Sequence, residues 1–88
     1  MKLNDNLVIK NVLDSDLLID IKSNFYGVIK LNKTSKDIFE LVNDGLNREE
    51  IIEKLFNKYD INKDELSKDI NEFIDEMLKK GIFIDEWN

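Results

Sequence analysis

Residues 28–39 read VIKLNKTSKDIF and mark the change from strand to helix that decides the fold. The stretch begins as an apolar run of the kind that favours an extended strand. It ends at Ile38 and Phe39, which form the start of the apolar side of a helix. Leu31 and Asn32 lie where one pattern gives way to the other. Upstream of this point the sequence predicts strands, and downstream it predicts helices, so the fold class is α+β.

The apolar segments that end at this point predict a three-stranded antiparallel meander. Its strands are Leu7–Leu13, Leu17–Lys22 and Phe25–Leu31. The second strand alternates apolar and charged residues, which is typical of a strand with one wet face. Asp14–Asp16 predicts the first turn and Ser23–Asn24 the second. Residues 1–6 are polar and are expected to be frayed.

Three helices follow, and each begins with a residue type that caps helix N-termini. The predicted caps are Thr34, Asn47 and Asn62. Asp37 lies three residues after Thr34 and predicts a capping box. Gly45 and Gly81 end the first and third helices. Residues 82–84 (IFI) predict a last short strand or a packed tail. The order predicts a single domain, residues 1–88, that resembles a winged helix-turn-helix with the sheet placed first.

The composition removes several classes of function. The chain has 88 residues with no His and no Cys, so it lacks the commonest general base, the thiolate nucleophile and the usual zinc ligands. A formal net charge of −6 disfavours nucleic acid. No apolar segment is long enough for a membrane span or a signal peptide. We therefore expect a cytoplasmic protein that is not an enzyme and that needs no cofactor or metal.

The third helix has a wide apolar arc. On a helical wheel its apolar side chains cover about 140°, whereas a core-facing stripe needs only about 100°. The residues concerned are Leu66, Ile70, Phe73, Ile74, Met77 and Leu78. Either the whole arc packs in the core, or one border, Leu66/Phe73 or Ile74/Leu78, lines a groove beside the sheet.

The third strand is predicted to lie at an edge of the sheet if strand order follows chain order. An uncovered edge presents unpaired N–H and C=O groups. Proteins use such edges to capture an extended peptide as an added strand, and they also cover them with their own chain. Here the apolar tail at residues 82–84 is the segment that would cover the edge.

The strand-to-helix segment resembles that of the PqqD-like family, in which an apolar strand leads through Leu-Asn into an apolar pair in the first helix. The matching residues are Gly27–Phe39 (GVIKLNKTSKDIF), Leu41–Gly45 (LVNDG), Glu50–Ile51, Leu55, Tyr59, Asp69–Ile70, Phe73–Ile74, Leu78 and Gly81–Ile82. The resemblance covers about residues 17–84. Each piece is short, but their order and spacing together are fairly specific.

This resemblance implies a peptide chaperone, or RiPP recognition element, which binds the leader of a ribosomally made precursor peptide. The leader would add to the third strand and lie against the third helix. The implied contacts are Phe25, Tyr26, Gly27, Val28, Ile29 and Lys30 on the strand, and Ile70, Phe73, Ile74 and Met77 on the helix. The second partner would be a modifying enzyme, such as a radical-SAM enzyme. Lys22 and Lys30 would attract acidic leader residues.

The alternative is a winged-helix regulatory domain that acts through protein or DNA contacts. Acidic and basic residues are mixed along the second and third helices, and no basic face results. No cluster of Arg, Asn and Gln suited to reading base edges is present there. The sequence therefore favours the peptide-binding function.

Overall fold

Two small antiparallel sheets and three helices make up the fold of residues 1–21 and 28–85. The computed structural model describes residues 1–21 and 28–85. In chain order the elements are β1 (Lys2–Leu3), β2 (Leu7–Val12), β3 (Ser15–Asp20), β4 (Val28–Leu31), α1 (Lys33–Asn43), α2 (Arg48–Lys58), α3 (Lys63–Lys79) and β5 (Phe83–Ile84). The predicted α+β fold, with an antiparallel meander before three helices, is confirmed.

The larger sheet has the strand order β2-β3-β4. A two-residue turn at Leu13 and Asp14 joins β2 to β3, and both residues have positive φ, 50° and 65°. This is the pattern of a type I′ turn, whose twist matches that of the two strands. The turn predicted at Asp14–Asp16 is therefore misplaced by one residue, because Ser15 already pairs with Val12.

The smaller sheet joins the two ends of the described chain. Lys2 pairs with Ile84 and Leu3 with Phe83. The prediction that residues 1–6 are frayed is wrong, since Leu3 is 7% exposed and belongs to the core. The Asn4 backbone N–H also donates to the Ile82 carbonyl at 2.9 Å. The apolar tail is thus paired with β1 and does not pair with β4.

The first helix begins directly after β4. Asn32 is its N-cap, and the Asn32 side chain accepts a hydrogen bond from the Ser35 backbone N–H at 2.8 Å. The predicted cap, Thr34, already lies inside the helix. Asn32 has extended backbone angles and immediately follows the last strand residue, so it caps the helix before the chain reaches Thr34.

The remaining helix ends follow the sequence prediction. Asn47 and Glu50 form a complete capping box at α2, and the Asn62 side chain accepts from the Glu65 N–H at α3. Gly45, with φ of 90°, follows the C-cap of α1, and Gly81, with φ of 75°, follows that of α3. These positive φ angles are ones that glycine adopts without steric cost.

The core lies between the sheets and the helices. Phe39, Phe73 and Phe83 contact one another edge to face, with ring centroids 5.1 to 6.4 Å apart. Phe39 and Phe83 are buried, whereas Phe73 is half-buried at the border of α3. None of the helices in the described part of the chain is long and apolar enough to cross a membrane.

Candidate functional site

The edge of β4 is open over residues 28–31. Within residues 1–21 and 28–85, β4 pairs with β3 and with no other strand. The chain's own apolar tail does not cover it, because that tail pairs with β1. A strand edge of this kind can accept another extended chain through main-chain hydrogen bonds.

The register of the sheet shows which backbone groups face the open edge. In an antiparallel sheet, hydrogen-bonded and non-bonded pairs alternate, and the pair that flanks a two-residue turn is bonded. Val12 and Ser15 form the bonded pair next to the turn, so Ile9 and Leu18, three pairs further along, form a non-bonded pair. The N–H and C=O groups of Leu18 therefore point away from β2 and toward β4. The alternation also predicts that the Ile21 backbone points the opposite way from that of Leu18. This is observed, because the Ile21 N–H donates to the Asn6 carbonyl at 2.9 Å. Ile29 therefore bonds to β3.

The two neighbours of Ile29 face the other way. The N–H and C=O groups of Val28 and Lys30 point to the open edge, because the backbone direction alternates along a strand. Their side chains lie on the sheet face away from the helices, where Val28 is 61% exposed. The side chains of Ile29 and Leu31 lie on the helix side.

An apolar cleft of about 380 Å³ lies beside this edge, between β4, α1 and α3; it is called the edge cleft below. Its apolar lining consists of Leu18, Ile29, Leu31, Phe39, Phe73, Met77 and Ile82. Its polar lining consists of Lys30, Asn32, Ser35 and Lys80. The cleft thus joins the open strand edge to the border of α3.

The predicted helix residues are divided between the cleft, a neighbouring pocket and the core. Phe73 and Met77 line the edge cleft together with Ile29 and Lys30. Ile70 lines a second depression of about 340 Å³, which lies between α1, α3 and the α2–α3 connection and is called the loop pocket below. Ile74 is 0% exposed and lines neither.

The other strand residues predicted for the site, Phe25, Tyr26 and Gly27, lie outside the described residues, as does Lys22.

Several cleft residues were missed by the sequence reasoning. Leu18 and Phe39 were assigned to the sheet and the helix without a site role, yet both line the edge cleft. The register could have suggested Leu18, because it lies directly beside Ile29. Ile82 reaches the cleft through the pairing of β5 with β1, which no local pattern in the sequence indicates.

The charge of the edge cleft differs from that of the whole chain. Among the described residues, its lining includes two lysines and no carboxylate, although the chain has 19 acidic and 13 basic residues. Lys80 lies 3.1 Å from Glu76, so its charge is partly offset. No group of three or more acidic side chains that could hold a metal ion occurs in the described segments.

An ion pair ties α1 to the sheet near the end of β4. Lys36 Nζ lies 3.3 Å from Asp16 Oδ1, and Asp16 is the β3 partner of Leu31. The hydrogen bond to Asp16 raises the pKa of Lys36, and hydrogen bonds from Asn11 and then Lys36 lower the pKa of Asp16. The pair connects α1 to the strand next to β4.

Comparisons with known proteins give one family and two solved structures of similar fold. A family model described as coenzyme PQQ synthesis protein D (PqqD) matches residues 17–82. A solved structure of TbiB1 in complex with the TbiA(beta) leader peptide has a TM-score of 0.82 and 19% identity, with full coverage of both chains. A lasso peptide synthetase B1 complexed with the leader peptide has a TM-score of 0.78 and 18% identity, with 96% of each chain covered. No curated protein sequence matches significantly.

Proposed function

The chain belongs to the PqqD family, and we propose that it binds the leader segment of a ribosomally made precursor peptide by strand addition to β4. The open β4 edge beside an apolar cleft is the observation that carries this proposal. Both similar solved structures are complexes with leader peptides, which supports the same class of ligand here.

The leader would be held by two kinds of contact. Main-chain hydrogen bonds to Val28 and Lys30 would add it to the sheet without selecting its sequence. An apolar leader side chain would enter the edge cleft between Ile29, Phe73 and Met77 and would give selectivity. The contacts predicted at residues 25–27 fall outside the described residues and stay a prediction.

We further propose that the chain presents the bound peptide to a modifying enzyme and performs no chemistry itself. None of the described residues that line the edge cleft is an Asp or a Glu, so the cleft lacks the carboxylates that acid–base catalysis would use. A radical-SAM enzyme is one class of partner that fits the family. The site of action proposed is the cytoplasm, where precursor peptides are made.

Replacing Val28 with proline tests the proposed edge directly. Proline removes the outward N–H of residue 28 and leaves the β3–β4 hydrogen bonds of Ile29 in place. We expect at least about tenfold weaker binding of a labelled synthetic leader peptide, measured by fluorescence anisotropy, with the leader taken from a precursor gene to be sought beside this chain's gene.

The control is Asn11→Pro, the same change at a backbone position that the alternation turns to the opposite edge of the sheet, compared with Asn11→Ala, which loses the same side-chain hydrogen bond to Asp16. The Asn11→Pro variant should bind the leader like the unchanged chain. Equal affinity of the Val28→Pro variant and the unchanged chain, with circular dichroism showing both folded, would exclude strand addition at β4.

A further inference from the structure

The loop pocket is an apolar depression. A peptide that bound only along β4 would not contact it. Its floor is formed by Ile38, Leu66 and Ile70, which are 2 to 4% exposed. At its rim, Ile61 in the α2–α3 connection is 46% exposed. Ile61 and the floor of the loop pocket together form a continuous apolar surface, which is a feature of protein and peptide contact sites.

The loop pocket continues the edge cleft. Asn32, Ser35 and Phe73 line both of them, so the Phe73 side chain borders the two depressions. A peptide that leaves the edge cleft past Phe73 therefore enters the loop pocket without crossing a separate surface.

Between the two depressions the backbone changes from strand to helix. The β4 strand ends at Leu31, and the Asn32 side chain is occupied in capping α1. Beyond Leu31 the chain turns into a helix, whose backbone groups are bonded internally and cannot extend a strand ladder. From there on the surface offers a peptide mainly apolar side-chain contacts.

We propose that the bound peptide continues past the end of β4 and places a second apolar side chain, a large aliphatic or an aromatic one, in the loop pocket against Ile61. This proposal rests on the proposed function, since the occupant is the same peptide that adds to β4. The ligand is then a segment with two apolar anchors, one for each depression, separated by the stretch that crosses Phe73.

Selection from a displayed library of random peptides of about 16 residues tests this directly. Extended at about 3.3 Å per residue, such peptides exceed the longest dimension of the protein, 37 Å. We expect the selected peptides to share two apolar positions at a fixed spacing. A selection on Ile61→Ser should retain one of these positions and lose the other.

The matched control is Val12→Ser, because Val12 is 47% exposed on the face of the sheet away from the helices. It should select the same two positions as the unchanged chain. For one selected peptide, replacing the second anchor with alanine should weaken binding about tenfold, and so should Ile61→Ser in the protein. The two changes combined should weaken binding no more than either does alone, because both remove the same contact.

The outcomes separate the two proposals. Selection of peptides with a single apolar position, unaffected by Ile61→Ser, would overturn the second anchor and leave strand addition standing. Failure to select any peptide would overturn both. A peptide-free dimer that Ile61→Ser converts to monomer, seen by sedimentation, would assign the loop pocket to a second copy of the chain and overturn the proposal.

Discussion

At the scale of single residues, Asp37 shows how one carboxylate connects two helices. It was predicted to complete a capping box at α1, but its carboxylate instead accepts hydrogen bonds from Tyr59 Oη and from Lys58 Nζ, the latter at 3.0 Å. Partial burial opposes ionisation most strongly, yet the hydrogen bonds from Tyr59 and Lys58 outweigh it and lower the pKa of Asp37.

This lowered pKa predicts a pH-dependent effect of Asp37→Asn. Because the folded state favours the ionised carboxylate, its contribution to stability is present above the unfolded pKa and is lost as pH falls through the folded one. We expect the variant to lower the free energy of unfolding by about 1 kcal/mol near pH ~7 and by less near pH ~3.

Urea unfolding followed by circular dichroism at both pH values measures the effect. Asp14→Asn, a change in the exposed β2–β3 turn where asparagine also adopts positive φ, is the control and should have little effect. A loss of stability for Asp37→Asn that is the same at both pH values would show that the carboxylate charge is not the cause.

At the scale of elements, the pairing of β1 with β5 supports the wall of the edge cleft. Phe83 of β5 is 1% exposed and contacts the rings of Phe39 and Phe73, both of which line the cleft. Leu3 pairs with Phe83 and fills the core beside it. The site on β4 and α3 thus depends on the two strands farthest from each other in the sequence.

Truncating the Leu3 side chain tests this dependence. We expect Leu3→Ala to lower the free energy of unfolding by about 2–3 kcal/mol, because it leaves a cavity beside Phe83. The leader should also bind more weakly, since the ring cluster behind Phe73 loses support. Urea unfolding and fluorescence anisotropy give the two readouts.

Leu13→Ala makes the same chemical change at a side chain that is 94% exposed, and it should alter neither stability nor binding. Unchanged leader affinity of folded Leu3→Ala protein would mean that β1 stabilises the fold without shaping the cleft.

The elements that sequence reasoning predicted well are those with a local signal. The caps at Asn47 and Asn62 and the glycines after α1 and α3 are read from a few adjacent residues. β1 was missed because a two-residue strand has no periodicity, and its partner lies at the other end of the sequence. At α1, Asn32 and Thr34 were both able to cap, and the end of β4 decided between them.

In the candidate site too, only the features that have a local sequence signal could be predicted. The open β4 edge could be predicted from strand order, and helical periodicity indicated only that Phe73 lies at one border of the apolar arc of α3. The burial of Ile74 could not, because the helical wheel shows the width of the apolar arc but not which border meets the sheet.

At the scale of the whole molecule, the charge distribution separates the site from the rest of the surface. The chain carries a net charge of −6, and the first turns of α2 and α3 each contain two acidic residues. The lysines of the edge cleft therefore lie in an otherwise acidic protein. The negative net charge opposes contact with a phosphate backbone.

The charge predicts that the chain does not bind duplex DNA. A gel-shift experiment at low salt with random duplex DNA should show no retarded band, because few cations are available to replace the DNA counterions. The same sample should bind the labelled leader, which demonstrates that it is active. A retarded band that weakens with added salt would support the winged-helix regulatory alternative.

The pairing of β1 with β5 has a consequence for synthesis on the ribosome. The β2–β3 hairpin and the helices involve neighbouring residues and can form early, whereas Leu3 must wait for Phe83 to emerge. Before Phe83 emerges, Leu3 and the Phe39 ring have no Phe83 side chain to pack against. The nascent chain therefore exposes apolar surface that is buried in the folded protein. The aromatic cluster that lines the edge cleft should therefore assemble only after β5 has emerged from the ribosome.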